Sequence, residues 1–287
     1  MGSVWELDFY SRPIVDDSNK KRWEILICEG AQSIKDTPES GLRYSKFVSN
    51  KQVNSVELRQ ALEEATEIAG SAPARVRFFR YQMQNMIKRA CGELGLPTRL
   101  SRRTLALQTW LDERRDSFYP QQPGYQPGKT ASTVQPVEAA RPLPDAITGQ
   151  RWAVVSLPAG ELLNMPDWDI GFGEGFPLSL AALDKDTPVP GVIIFSERAL
   201  PLAGWMSGLE LAYLDVQLGK NSQLLLETGS NDTWVMASLG RPELKQEAEG
   251  FVNAKAQANQ VHFVAVQSSP EDETFAGFWM MQQRSFG

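Results

Sequence analysis

A proline-rich stretch from residue 117 to residue 149 limits how this chain can fold. It contains prolines at positions 120, 123, 127, 136, 142 and 144, mixed with Gln, Gly, Ser and Thr. Because proline lacks a backbone N–H and fixes φ, such a stretch forms neither a helix interior nor a central strand. The sequence therefore predicts a linker over 117–149, which separates an N-terminal domain (1–116) from a C-terminal domain (150–287).

The N-terminal domain carries strand and helix patterns in a defined order. Apolar alternation predicts strands over residues 4–9, 22–29, 42–49, 75–80 and 98–100. Apolar spacing of three and four predicts helices from the cap Asn54 to Gly70, from about residue 83 to Gly95, and over 104–116. The order βββαβαβα is that of a ribonuclease-H-like domain, and we expect this α/β fold.

The C-terminal domain carries strand patterns that are interrupted by few helices, which predicts an α/β or α+β domain with a mixed sheet. A helix is expected from Pro242 to about Asn259, because proline is favoured at the first helical position. Gly171, Gly173 and Gly175 form a G-x-G-x-G run. No Walker lysine follows the run and no clear strand precedes it, so we expect a shaped loop, with a phosphate-binding loop as the alternative.

The predicted N-terminal fold raises the question of nuclease activity. Catalytic domains of this fold hold two divalent ions with carboxylates on the first strand, the first helix, the fourth strand and a late helix. Asp8 lies on the first strand, but the fourth strand reads ARVRFFRY and offers arginines instead of carboxylates. We therefore expect a catalytically inactive domain with Asp8 as a structural residue at a strand end. A metal-dependent nuclease stays as an alternative.

Other residue types give little support for a cofactor or a metal. His262 is the only histidine, and zinc or Ser-His-Asp chemistry would need further partners. Cys28 and Cys91 are the only cysteines, which favours two buried thiols in a reducing compartment. No apolar run is long enough to cross a bilayer, and we recognise no leader pattern at the start of the chain. The sequence thus predicts no cofactor and no bound metal.

The charges are segregated along the chain. The net charge is −6, yet residues 75–115 hold ten basic and only three acidic residues. Arginines alternate there with aromatic residues, which suits phosphate neutralisation and base stacking in single-stranded RNA. The predicted RNA-binding residues are Arg75, Arg77, Phe79, Arg80, Tyr81, Lys88, Arg99, Arg102 and Arg103. In the alternative interpretation, Val76 and Phe78 are core residues and the arginines form ion pairs with the acidic first helix.

Three segments resemble a known family. The stretches WELDFYSRPIVDDSNKKRWEILICE, PARVRFFRYQMQNMI and GFWMMQQRSF are similar to the Tab/Atab RNA-binding proteins of chloroplasts, algae and cyanobacteria. The resemblance implies a non-enzymatic protein that binds single-stranded RNA of the A-U-rich leader type. It also implies a role in translation and biogenesis of photosystem I, and of photosystem II as an extension, with translation or assembly proteins as further partners. The implied location is the cyanobacterial cytoplasm or, for a mature plastid form, the chloroplast stroma. A protein–protein assembly factor with an acidic second domain is a third interpretation.

Overall fold

The computed structural model describes residues 2–37, 39–128, 139–144 and 151–284. These residues form two compact units. The first comprises residues 2–31, 37 and 39–128, and the second comprises residues 32–36, 139–144 and 151–284. None of the described helices is long and apolar enough to cross a membrane.

The first unit contains a five-stranded mixed sheet with three helices. Its strands are β1 (Val4–Val15), β2 (Lys21–Glu29), β3 (Arg43–Val48), β4 (Arg75–Phe78) and β5 (Thr98–Leu100), and its helices are α1 (Ser55–Ala69), α2 (Gln84–Glu93) and α3 (Leu105–Glu113). The strand order is β3-β2-β1-β4-β5. β1, β2 and β3 pair antiparallel, whereas β4 and β5 run parallel to β1. The predicted order of strands and helices is thus present.

Local signals set the helix ends in the first unit. The N–H of Glu57 donates to Asn54 Oδ1 at 2.9 Å, so Asn54 caps α1. Gly70 ends the same helix with a φ of 73°, a left-handed conformation that favours glycine. α3 ends three residues before the predicted limit, at Glu113, and the chain continues as a π-helical turn, Arg114–Phe118.

One apolar core lies under α1 and α2. Trp5, Leu7 and Phe9 of β1 contribute to it, and Cys91 of α2 packs against the same layer. Cys28 and Cys91 are both buried free thiols, as predicted. β1 is longer than predicted because its pairing with β2 continues, through an irregular register between Ser11 and Val15, to Val15. Asp8 therefore lies inside a strand and not at its end.

Two parts of the predicted 117–149 linker, residues 117–128 and 139–144, belong to the folded units. Tyr119 is buried, and its hydroxyl donates to Glu24 at 2.7 Å. The N–H of Val15 donates to the carbonyl of Gly124 at 3.0 Å, which adds this loop to the first unit. On the other side, β6 (Arg141–Pro142) pairs with a strand of the second unit. The remaining parts of the predicted linker, 129–138 and 145–149, lie outside the described residues.

The second unit contains two sheets. The strands are β7 (Arg151–Pro158), β8 (Ile170–Glu174), β9 (Pro188–Phe195), β10 (Leu211–Gln217), β11 (Gln223–Thr228), β12 (Asp232–Ser238), β13 (Val261–Gln267) and β14 (Phe275–Gln282). The helices are α4 (Ala159–Leu162), α5 (Leu178–Ala181), α6 (Ala199–Ser207) and α7 (Pro242–Gln257). The sheet orders are β10-β11-β12-β6 and β7-β9-β13-β14-β8, with parallel and antiparallel pairs in each. The predicted mixed α/β architecture is confirmed.

The glycine run differs from its prediction. It forms most of β8, which pairs in parallel with β14 so that Phe172 lies opposite Gly277. A Cβ atom at Gly173 would lie 2.8 Å from the carbonyl oxygen of Phe278, so glycine permits the close approach of the two strands. Because the run is a strand and only a four-residue helix follows at Leu178, it does not have the shape of a phosphate-binding loop.

His262 is a buried core residue. Its Nε2 accepts the N–H of Leu214 at 2.8 Å, and its Nδ1 lies 2.9 Å from the carbonyl oxygen of Gln260. These partners fit a neutral ring that carries its proton on Nδ1. Burial, together with the nearby charge of Lys255, lowers the pKa of His262 to about 3. The ring therefore joins β13 to β10 in its neutral form.

Candidate nucleic-acid interface

The arginines of β4 face away from the apolar core. Val76 and Phe78 lie in the core, while the alternating positions Arg75 and Arg77 face the other side of the sheet. In the parallel register with β1, Arg77 lies opposite Glu6. Arg77 is only 2 % exposed because this side of the sheet is also covered, and α3 contributes to the cover. The second side of the sheet is thus a buried layer of charged residues.

Asp8 lies at the centre of this charged layer. It is 1 % exposed, and its two oxygens accept from two guanidinium groups. Arg80 Nε lies 2.6 Å from Oδ1, and Arg12 Nη1 lies 2.9 Å from Oδ2. Burial alone would raise the pKa of Asp8, but the charges of Arg80 and Arg12 outweigh it and lower the pKa below its usual value. Asp8 is therefore an ionised, fully paired carboxylate.

Glu24 on β2 extends the same network. It is fully buried and accepts hydrogen bonds from Arg12 Nε at 2.9 Å, from Arg114 Nη2 and from the Tyr119 hydroxyl. The pKa of the Tyr119 hydroxyl is raised above its usual value, mainly because the group is buried. The charge of Arg12 lowers this pKa and the charge of Glu24 raises it, but burial has the largest effect. Through Arg114, the π-helical turn thereby contacts the charged face of the β1–β2 hairpin.

In the nuclease alternative, Asp8 on the first strand would be one of the carboxylates that hold the metal ions. Guanidinium groups of Arg12 and Arg80 contact both oxygens of Asp8, so the charge that a divalent ion would neutralise is already balanced. Within the described parts of the chain, no group of three His, Cys, Asp or Glu side chains could hold a metal ion. The alternative in which the arginines pair with the first helix is not what is seen for Arg80, whose partner lies on β1.

The nine predicted RNA-binding residues divide by exposure. Arg77, Phe79, Arg80 and Arg103 are buried, Arg75 and Arg102 are half-buried, and Tyr81, Lys88 and Arg99 are exposed. The four buried residues do not present their side chains to solvent. Of these four, Arg77 lies on β4, on the side of the sheet that is covered by a second layer of the fold, and the other three follow the ends of β4 and β5.

Four of the accessible residues come from neighbouring elements. The N–H of Ser101 donates to the carbonyl of Phe78 at 2.8 Å, so the carboxyl ends of the parallel strands β4 and β5 lie side by side. Tyr81 follows the end of β4 and is 40 % exposed, while Arg102 follows the end of β5. Arg99 lies on β5, the outer strand. Lys88 lies on α2, which packs beside β5. We call this set, Tyr81, Lys88, Arg99 and Arg102, the basic edge. Arg75 lies at the opposite end of β4.

Two residues of the basic edge have uncharged partners. Arg99 Nη1 donates to the carbonyl of Thr98 at 3.1 Å, and Lys88 Nζ lies 3.4 Å from Gln84 Oε1. Neither partner neutralises the positive charge, which stays available for an anion such as a phosphate. Other exposed arginines of the segment differ, because Arg89 pairs with Glu93 at 3.3 Å.

Comparison with known proteins identifies the family. A family model described as the N-terminal part of the RNA-binding protein Tab2/Atab2 matches residues 4–114, and one described as its C-terminal domain matches residues 130–282. The chain belongs to the Tab2/Atab2 family of RNA-binding proteins. The family expected from the sequence is therefore confirmed.

Two plant relatives extend over almost the whole chain. The protein TAB2 homolog, chloroplastic, of Zea mays is 38 % identical over 284 residues, which cover 96 % of this chain and 70 % of the relative. The relative of the same description from Arabidopsis thaliana is 35 % identical and covers 96 % of this chain and 74 % of its own length. A solved structure of a simian T-cell lymphotropic virus intasome with the PP2A regulatory subunit B56 gamma covers 42 % of this chain and 44 % of that chain. At 14 % identity and a TM-score of 0.27, this similarity assigns neither a fold nor a function.

Sequence reasoning missed the buried network of this Tab2/Atab2 family member. The strand and charge patterns point to none of Arg12, Glu24 and Tyr119, and they include Arg114 only as one of the ten basic residues between positions 75 and 115. One signal was available, because strand alternation places Asp8 and Arg12 on the side of β1 that is opposite the apolar residues Leu7 and Phe9. The contacts from the π-helical turn and from Tyr119 come from distant parts of the chain, so no local pattern predicts them.

Proposed function

We propose that the basic edge of the first unit binds single-stranded RNA and that the protein acts without catalysing a reaction. The observation that carries the proposal is the exposed ring of Tyr81 at the same sheet end as Arg102, beside Arg99 on the outer strand. A base stacks on an accessible aromatic ring, while neighbouring cations contact the backbone phosphates. Family membership supports RNA as the ligand.

We propose that the protein is not a catalyst because the carboxylate of Asp8 is buried and paired. Its ion pairs with Arg12 and Arg80 leave the first strand without an accessible carboxylate for a metal ion. We expect no hydrolysis of RNA or DNA with Mg²⁺ or Mn²⁺. Turnover that disappears in Asp8→Asn would favour the nuclease alternative. The ribonuclease-H-like assignment of the first unit stays a prediction, and the strand order β3-β2-β1-β4-β5 supports it.

The relatives support a proposal for the biological role. Both plant relatives are described as chloroplastic. We propose that this chain promotes translation and biogenesis of photosystem proteins, in a plastid or in a cyanobacterial cytoplasm. We also propose that the two units are separate domains joined by the proline-rich segment. Association with translation or assembly proteins belongs to the same proposal.

Salt dependence of RNA binding tests the basic edge. Each phosphate neutralised on a single strand contributes about 0.7 to the slope of log affinity against log salt. The variant Lys88→Ala/Arg99→Ala/Arg102→Ala should flatten this slope by about 2 and weaken binding to all sequences alike. Fluorescence anisotropy with a labelled single-stranded RNA measures both effects.

A matched control separates the site from the net charge. The variant Arg59→Ala/Arg89→Ala/Arg115→Ala removes the same charge from arginines that pair with carboxylates, and its slope should stay close to that of the parent. Tyr81→Ala should cost about 1–3 kcal/mol of binding free energy with little change of slope, because stacking is not a phosphate contact. If both triple variants lose the same slope, the basic edge is not the RNA site.

A further inference from the structure

The outer strand of the second unit has an edge that no described strand covers. β8 ends the sheet order β7-β9-β13-β14-β8, and among the described strands it pairs with β14 alone. The N–H of Phe275 donates to the carbonyl of Asp169 at 2.9 Å. Peptide groups of successive strand residues alternate between the two edges, so Ile170 and Phe172 direct theirs to the outer edge.

Only part of this edge is protected. Outer strands usually carry charges, prolines or bulges, or are covered by a loop. β8 reads IGFGE and ends in the charged Glu174, and just beyond it the N–H of Gly175 donates to the carbonyl of Gln32 at 3.0 Å. The residues before Glu174 carry no charge and no proline. Phe172 is 36 % exposed, and Leu200 on the neighbouring helix α6 is 61 % exposed. α6 itself reads ALPLAGWMS and carries no charged side chain.

Two glycines bring the apolar side chains of β8 and α6 together. A Cβ atom at Gly171 would lie 3.8 Å from Leu200 Cδ1, and one at Gly204 would lie 3.7 Å from Phe172 Cζ. Phe172, Leu200, Gly171 and Gly204 therefore lie next to one another. We call these four residues the apolar strip. It lies at the edge of β8 that pairs with no described strand.

Carboxylates surround one end of the apolar strip. β8 and β14 run parallel, so the residues that precede them lie at the same end of the sheet. These residues include Asp167, Asp169, Glu271, Asp272 and Glu273. Basic groups are fewer at this end: Lys35 lies 3.9 Å from Asp167, the charge of Arg151 lowers the pKa of Glu271, and the exposed Arg198 directly precedes α6. The negative charge repels a second copy of the same surface and attracts cations.

We propose that the β8 edge binds an extended segment of a partner protein by strand addition. The partner segment is apolar in its centre, where it packs on Phe172 and Leu200, and carries lysine or arginine where it meets the acidic end of the sheet. Backbone hydrogen bonds to Ile170 and Phe172 give affinity, and the apolar strip and the carboxylates give specificity. This activity is separate from RNA binding, because it uses the other unit.

Three labelled peptides and the full chain test the proposal by fluorescence anisotropy. The first alternates valine and threonine and has lysines at both ends. The second has the same centre but glutamates at both ends, and the third is the lysine peptide with alternate backbone nitrogens methylated. We expect the glutamate and methylated peptides to bind at least tenfold more weakly, and affinity for the lysine peptide to fall with added salt.

Variants of the chain locate the site. Phe172→Pro removes the outward N–H and should weaken binding of the lysine peptide at least tenfold, whereas Phe172→Leu keeps the N–H and should retain most of it. Leu200→Lys should weaken binding at least tenfold, and Leu218→Lys, at another residue with 48 % exposure, should not. Unchanged far-UV circular dichroism shows that the variants are folded.

Several results would overturn the proposal. They are equal binding of the lysine and glutamate peptides, equal binding of the methylated peptide, no binding of any peptide, or no effect of Phe172→Pro and Leu200→Lys. Sedimentation that shows a dimer of the parent, lost in Leu200→Lys, would assign the strip to an interface between two copies and would also contradict the proposal.

Discussion

Replacing Arg80 by methionine tests whether the buried guanidinium groups stabilise the first unit. Asp8 is 1 % exposed and lies 2.6 Å from Arg80 Nε and 2.9 Å from Arg12 Nη1. Removing one partner of a buried ion pair costs about 3–5 kcal/mol, because a buried charge is left uncompensated. Arg12 still contacts Asp8 in the variant, so we expect a loss near the lower end, about 3 kcal/mol at pH 7.

The pH dependence of the Arg80→Met effect has a defined sign. In the parent the folded-state pKa of Asp8 is lowered, so this carboxylate stabilises the fold above its unfolded pKa, and the contribution is lost as the pH falls through the folded pKa. Burial raises the pKa of Asp8, and the two guanidinium groups lower it. In Arg80→Met only Arg12 is left to lower it, so the pKa of Asp8 should be higher than in the parent. The difference in the free energy of unfolding should therefore shrink as the pH falls from 7 towards 4.

Urea denaturation, combined with hydrogen exchange of β1 amides, measures this free energy for the first unit. Asp8→Asn added to Arg80→Met should recover part of the loss, because the uncompensated charge is removed, and the double-mutant cycle gives the coupling energy. Arg89→Met serves as the control, since its ion pair with Glu93 is exposed and contributes at most about 1 kcal/mol. If Arg80→Met costs no more than Arg89→Met, or if its deficit does not change with pH, the network does not stabilise the fold as argued.

Three further predictions concern other parts of the chain. Because the folded-state pKa of His262 is lowered to about 3, the second unit should lose about 1.4 kcal/mol per pH unit as the pH falls from about 6.5 towards 3; urea denaturation at several pH values should show this slope, and His262→Gln should remove it. Ile34 is 5 % exposed and belongs to the second unit, so Ile34→Ala should cost about 2–5 kcal/mol, seen as faster hydrogen exchange in β14 with little change in β2. Limited proteolysis should cut first between residues 127 and 149, whose composition is rich in proline and polar residues; first cuts next to Tyr119, which is buried, would contradict the proposed boundary.

Much of the fold could be predicted because its determinants are local. Asn54 and Gly70 define the ends of α1 through contacts within a few residues, and the alternation in β4 separates Val76 and Phe78 from the arginines. The strand β8 could not be predicted this way, because its glycines suit the close approach of β14, which lies about a hundred residues later in the sequence. The sequence of a strand also does not show whether the second face of its sheet is covered, because the covering segments come from distant parts of the chain.

The candidate site was predicted less completely for the same physical reason. Strand alternation places the Arg77 side chain on the face of the sheet opposite the apolar core. Because charged side chains are usually exposed, the sequence predicts that Arg77 faces solvent. The structure instead buries Arg77, and it pairs the buried Arg80 with Asp8. Which charged residues reach solvent depends on the cover formed by α3 and the turns after it, and that information is distributed over the whole unit.

This burial changes the expected strength of RNA binding. Ten basic residues between positions 75 and 115 would, if each contacted a phosphate, give a salt slope of roughly −7. Arg77, Arg80, Arg103 and Arg114 are buried, and Arg89 and Arg115 pair with carboxylates at the surface. Of the remaining four, Lys88 and Arg99 are exposed with uncharged hydrogen-bond partners, and Arg75 and Arg102 are half-buried. Even if all four contacted phosphates, the slope would not exceed roughly −3. A much steeper slope would require a second basic surface or an opening of the charged layer around Asp8. That opening would expose Arg80 and Arg12, and hydrogen exchange of β1 with and without RNA would detect it.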